Sequence, residues 1–208
     1  YMGDWGQSQR FEYHHNMFRV YDVKRFGKDH PEYYPVVEGK PKVPEAGSDS
    51  AWQPTFSNPA TVSRAIEYAN EAFSARPDLK SISLSPNDGG GYSETDMRLG
   101  KVLPDGRVSL SNVYYGYVNA VARGIRARWP DRYVATLPYG FMSGPPDFPL
   151  EDNVVVFLLN EPVKSYQEWD GRMKSIGIYQ WLYGMGWLMP NHWPHALQEY
   201  LRWARGHG

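Results

Sequence analysis

Asn153-Val154-Val155-Val156-Phe157-Leu158-Leu159, followed at once by Asn160-Glu161-Pro162, is the stretch that decides the fold. An almost continuous apolar run with no polar alternation describes a strand buried on both faces. Parallel sheets bury their strands this way because crossover helices cover them. Working outward, Tyr133 to Leu137 and Ser175 to Trp181 read as further strands, and Ser81 to Ser85 as an earlier one. Arg10 to His15 is a short strand candidate at the start.

Helical patterns lie between the strands. Asn58 caps a helix with Pro59 at its first position; Val62, Ala65, Ile66, Ala69 and Phe73 form its apolar face, and it stops before Pro77. Ser111 is expected to cap a second helix, whose stripe is Tyr114, Tyr117, Val118, Val121, Ala122 and Ile125. A short helix is expected over Ser165 to Met173, and a last one starts at Pro194 with Leu197, Tyr200 and Leu201 on one face. Residues 26–55 read as a long irregular loop, of the kind that tends to be functional. Leu103-Pro104-Asp105-Gly106 reads as a turn.

Strand–helix units repeated about five times give either a doubly wound sheet or a (β/α)8 barrel. Polar and aromatic residues gather at the C-terminal end of each strand, where a barrel builds its site. No phosphate-binding fingerprint follows the first strand. The expected class is therefore α/β, a (β/α)8 TIM-type barrel, with residues 1–208 forming one domain. Five strands are too few to close a barrel, and the chain opens without a natural beginning, so a piece of a longer barrel is expected.

Composition narrows the partners. The 208 residues carry 22 basic and 23 acidic side chains, a net charge of −1, which leaves no electrostatic footprint for nucleic acid or an anionic membrane. No apolar run approaches the roughly 18 residues that span a bilayer. Cysteine is absent, which excludes a disulfide frame and thiolate chemistry. Aromatic residues reach 15%, with 8 Trp and 16 Tyr. Sugar clefts use such rings for stacking, and an aromatic-rich core uses them as well.

The segment Ser81-Ile82-Ser83-Leu84-Ser85-Pro86-Asn87-Asp88-Gly89-Gly90-Gly91 runs from a strand into a polar pair and three glycines. It reads as an active-site edge where bare backbone admits a ligand, or as a plain turn. Parallel strands would bring to one face His14, His15 and Asn16; Asn87 and Asp88; Tyr139; Asn160 and Glu161; and Tyr179, Gln180, Trp181 and Tyr183. Two carboxylates, imidazoles, amides and aromatics without a phosphate clamp suit glycoside hydrolysis, which needs a carboxylic acid and a second group at the oxocarbenium-like centre. No third ligand accompanies His14 and His15 at metal-like spacing, so neither a metal nor a cofactor is expected. Trp181, Trp187 and Trp193 serve either the cleft or the packing of the last helix.

Tyr13-His14-His15-Asn16, His30-Pro31-Glu32-Tyr33-Tyr34, Gln53-Pro54, Ser57-Asn58-Pro59, Ser83 to Gly90, Tyr117-Val118-Asn119-Ala120-Val121-Ala122 and Leu137-Pro138-Tyr139 occur in one order through nearly the whole chain. In this the chain resembles the domain-of-unknown-function family 4838, whose members resemble α-glucuronidase and β-N-acetylhexosaminidase barrels. The resemblance implies a (β/α)8 barrel, carbohydrate activity and an extracellular or periplasmic location. Many members carry cysteines after the Asn-Asp loop; this chain has Tyr92-Ser93-Glu94-Thr95-Asp96, so no role tied to them carries over.

By analogy with hexosaminidase barrels, Asn87 would orient the substrate and Asp88 would be the general acid, with Glu161 the partner carboxylate. His14, His15, Asn16, Asn87, Tyr139, Asn160, Tyr179, Trp181 and Tyr183 would bind an oligo- or polysaccharide. The alternatives are a glycan-binding barrel without a working acid pair and a structural part of a larger assembly.

Overall fold

The computed structural model describes residues 11–159, 167–179 and 194–207. Its first half contains α1 (Met17–Val20), α2 (Val23–Phe26), β1 (Val36–Val37), β2 (Lys40–Pro41), α3 (Pro59–Ala75), β3 (Ser81–Ser83), α4 (Glu94–Leu99), β4 (Lys101–Val102) and β5 (Val108–Ser109). The second contains α5 (Ser111–Arg126), β6 (Tyr133–Thr136), β7 (Val154–Leu159), β8 (Ser175–Tyr179) and α6 (Pro194–His207). The strands β3-β6-β7-β8 form one parallel sheet in chain order. β1–β2 and β4–β5 are separate antiparallel pairs.

Apolar residues of β3, β6 and β7 meet α3 and α5 in one core: Ile82, Val134, Val154, Val156 and Leu158 pack with Ala65, Ala69, Val118 and Ile125. The two helices pack against each other on that face, tied by Trp129 Nε1 donating to Asn70 Oδ1 at 2.9 Å. Strand alternation turns Ser81, Ser83, Ala135, Val155, Phe157 and Gly177 to the other face. There Tyr13 stacks on Phe157 with ring centres 4.1 Å apart. Gly177 leaves room for that ring, since a Cβ would stand 2.5 Å from Phe157 Cγ. β3, β6, β7 and β8 form a four-stranded parallel sheet, and no closed barrel is present among the described residues.

The expected first strand is not regular. Residues 12–16 run beside β3 through one parallel bridge, His15 to Ser85, and the ladder is replaced by hydroxyls. Ser81 Oγ donates to Glu12 O at 3.0 Å, Ser85 Oγ to Tyr13 O at 2.5 Å and Ser83 Oγ to His14 O at 2.5 Å. Ser111 is the first residue of α5, and its hydroxyl donates to Gly144 O at 2.8 Å instead of capping the helix. Asn58 does cap α3, accepting from Ala60 N at 2.9 Å. Residues 26–55 are not irregular throughout: they hold the end of α2, a short turn of helix at Pro31–Tyr33 and the β1–β2 hairpin. Of the helix expected over Ser165 to Met173, only residues 167–168 are helical among those described. Leu201, expected on an apolar face, is 48% exposed.

Much of the tyrosine excess is core. Tyr21, Tyr34, Tyr114, Tyr115 and Tyr117 are buried, and each hydroxyl has a partner, as desolvation demands. Tyr21 OH donates to Thr61 O at 2.7 Å and lies 2.8 Å from Tyr117 OH; Tyr115 OH donates to Met142 O at 3.2 Å.

Arg64 is 2% exposed. Its guanidinium donates to Val20 O and, through two nitrogens, to both oxygens of Glu71 at 3.0 and 3.2 Å, while lying 4.7 Å from the Phe26 ring centre. Arg64→Leu leaves the Val20 carbonyl without this donor and gives the half-exposed Glu71 to solvent, so a loss of about 1–3 kcal/mol is expected in urea unfolding. The Arg64 hydrogen bonds hold the Glu71 carboxyl below its ordinary range. Stability from this pair is therefore present above the unfolded glutamate pKa and lost as pH falls through the depressed value, and Arg64→Leu flattens that acid limb.

Candidate functional site

The C-terminal ends of residues 12–16, β3 and β6 meet at Asp88. β3 continues through Leu84, Ser85 and Pro86, all buried, before Asp88 emerges into solvent. Tyr139, just beyond β6, donates its hydroxyl to Asp88 Oδ1. Gly89 N donates to the same oxygen at 2.9 Å. His15 lies edge-on to Tyr139, ring centres 5.1 Å apart at 76°. Its Nδ1 is 2.5 Å from Pro86 O. A carbonyl only accepts, so Nδ1 carries a proton and Nε2 is the ring's remaining polar atom.

These contacts favour charge on Asp88. The Tyr139 hydroxyl, ahead of the Gly89 amide, holds the carboxyl below the usual aspartate range, and the same bond pushes the Tyr139 hydroxyl up. A general acid needs the opposite shift. In the free protein these contacts favour the ionised form of Asp88. Tyr139→Phe should raise the Asp88 pKa towards its ordinary value. An NMR titration of the Asp88 carboxyl carbon checks this, and an unmoved midpoint would discount the hydroxyl.

Beside this pair opens a cleft of about 820 Å3. Gly89, Gly90 and Tyr139 border it on the Asp88 side, and Arg107, Phe141 and Trp169 line it farther out. Trp169 is buried edge-on against Tyr115, 5.3 Å between ring centres. On the face of the sheet turned away from α3 and α5, Tyr13, His14 and Tyr179 form a second aromatic group. His14 is exposed and lies 4.3 Å from Tyr13 and 5.8 Å from Tyr179 between ring centres. Among the described residues no group of three or more His, Asp or Glu side chains could hold a metal ion.

A model of a family described as a domain of unknown function, DUF4838, matches residues 3–200. The chain belongs to the DUF4838 family. No curated protein and no solved structure matches it.

In this DUF4838 chain the fold brings His15, Asp88 and Tyr139 together and places His14 and Tyr179 in the neighbouring aromatic group. It does not bring Asn16 or Asn87 to the open face. Asn16 is 3% exposed and donates to Ser83 O at 2.9 Å, tying its segment to β3. Asn87 is fully buried, accepting from Phe18 N at 2.7 Å and donating to Trp52 O at 3.0 Å. Both amides are spent on groups inside the fold, Asn16 also donating to Tyr68 OH at 3.3 Å. Asn160, Glu161, Gln180, Trp181 and Tyr183, with Trp187 and Trp193, lie outside the described residues.

Cleft residues that the sequence does not single out include Arg107, Phe141, Glu168 and Trp169. Arg107 belongs to the β4–β5 hairpin, whose only sequence signal was its turn. Phe141 follows the Pro-Tyr-Gly strand end, which did mark the neighbourhood. Glu168 precedes Trp169 and carried no signal.

Proposed function

We propose that this DUF4838 protein is a carbohydrate-active protein, a glycoside hydrolase whose sheet is an arc of a (β/α)8 barrel. The observation that carries the reading is a solvent-facing aspartate, held as an anion by a tyrosine hydroxyl and a glycine amide, at the strand ends beside an aromatic and polar cleft. Strand order without reversal and helices packed on one face support the barrel, as does the chemistry gathered at the strands' C-terminal ends.

In the reaction, Glu161 gives its proton to the glycosidic oxygen as the bond to the anomeric carbon breaks. Asp88 meets the positive charge that develops on that carbon, and a water molecule then adds to it, returning a proton to the Glu161 carboxylate. Tyr139 fixes the carboxylate, while His15, His14 and Tyr179, with Asn160, Trp181 and Tyr183, contact the sugar. The substrate is an oligo- or polysaccharide, and the location is extracellular or periplasmic.

The test is incubation of the protein with N-acetylhexosaminides, uronosyl xylo-oligosaccharides and digests of plant cell wall and host glycans, with released sugars read by mass. Release of a defined sugar supports the reading. Binding without release from any substrate replaces it with a glycan-binding protein.

A further inference from the structure

Resting on that reading, we infer that the cleft beside Asp88 is an extended subsite for uncharged sugars, with Phe141 as its platform and Gly90 leaving it open, so that affinity is set by chain length.

Size is the first argument. The cleft, at about 820 Å3, lies high in the range of about 300–1,000 Å3 that takes a whole drug-sized molecule. A hexose has only about a dozen heavy atoms and would leave most of that volume to water. Position is the second. The cleft begins at Gly89 and Tyr139, which bond Asp88, with Gly90 beside them, and extends to the β4–β5 hairpin and Trp169. A glycan with one residue at Asp88 would place its next residues there.

Phe141 supplies the third. It is 42% exposed, yet its ring is held edge-on to the partly buried Tyr92, 5.0 Å between centres. An exposed but immobilised aromatic face in a cleft is a stacking surface for a pyranose. Charge is the fourth. Arg107 Nε is bound to Asp105 Oδ2 at 2.7 Å, so its charge is matched within the hairpin. Glu168 adds a carboxylate to the lining, and Ser109 and Ser143 add hydroxyls. Among the described residues such a lining has donors and acceptors for sugar hydroxyls and no cation without a carboxylate partner to capture a uronate or sulfate.

Gly90 makes the inference testable. A Cβ there would meet nothing within 4 Å, and its backbone is outside the left-handed region, so Gly90→Phe inserts a ring into the cleft without straining the chain. Calorimetry would compare wild type, Phe141→Ala and Gly90→Phe with neutral chito- and xylo-oligosaccharides from mono- to hexasaccharide, and thermal melts would confirm folding. Wild-type affinity should rise with added sugars, and each variant should lose about tenfold on the tetrasaccharide, flattening the series. A flat wild-type series, or variants that keep the length dependence, would overturn the subsite while sugar binding stands. Wild type that binds no sugar in either ladder overturns the glycan reading and the subsite together.

Discussion

Asp88→Asn is expected to lower turnover by about 10²–10⁴-fold while leaving glycan affinity close to wild type. The substitution keeps an oxygen that can accept from Tyr139 and from Gly89 N, so the loop has no reason to move. What disappears is the negative charge at the strand end, and only a step that develops positive charge in the sugar should feel it. Paired measurements of released sugar and of binding separate the outcomes. Turnover lost with binding kept places Asp88 in the chemistry. Turnover unchanged removes it, whatever else the cleft does. The pH profile adds a sign check. Because the folded pKa of Asp88 lies below its ordinary value, the anion persists as pH falls past the ordinary aspartate range, and activity dependent on it declines only through the lower value.

The strands were legible because their signal is local. Val154 to Leu159 is apolar throughout and reads as a strand, though on the face away from the helices Phe157 and Leu159 are only half-buried. Tyr133 to Leu137 ends in Pro138, which stops the ladder. Asp88 and Tyr139 were legible for the same reason, as polar groups placed just past such strands. The amides were not. Asn16 and Asn87 stand next to exposed His14 and Asp88 in sequence or nearly so, but which way an amide turns depends on whether a backbone donor or acceptor comes within reach from a distant segment. For Asn87 those partners are Phe18 and Trp52, far along the chain.

Arg64 shows the converse. Nothing in the α3 pattern singles it out, yet Val20 and Phe26 close over it and Glu71 reaches back along the helix. The tyrosines were ambiguous for a chemical reason. A phenol belongs in a core or in a sugar cleft depending only on where its hydroxyl ends, and periodicity does not report that.

Gly91→Ala should be among the most destabilising single-atom additions in the molecule, at about 3–5 kcal/mol, whereas Gly90→Ala beside it should stay within about 0.5 kcal/mol. Gly91 has φ of +75°, which already disfavours a side chain. Its Cβ would also stand 2.6 Å from Trp52 Cα and 2.8 Å from the Ala51 carbonyl carbon, and backbone cannot step aside as a side-chain end can. The third glycine is thus explained by chain against chain, not by a ligand's approach.

The consequence reaches the site. Ala51 N donates to Asp88 O at 2.7 Å, and Gln53 N to Gly91 O at 3.0 Å, so residues 51–53 and the glycine loop are held as one unit. Pushing Ala51 away releases the backbone that presents the Asp88 carboxylate. Urea midpoints for the two alanine variants check the stability difference. Glycan turnover of the folded fraction then checks the coupling: Gly91→Ala should lose activity beyond its loss of stability. Equal midpoints for the two variants would show that the 51–52 segment yields to a methyl group and that the loop does not depend on that contact.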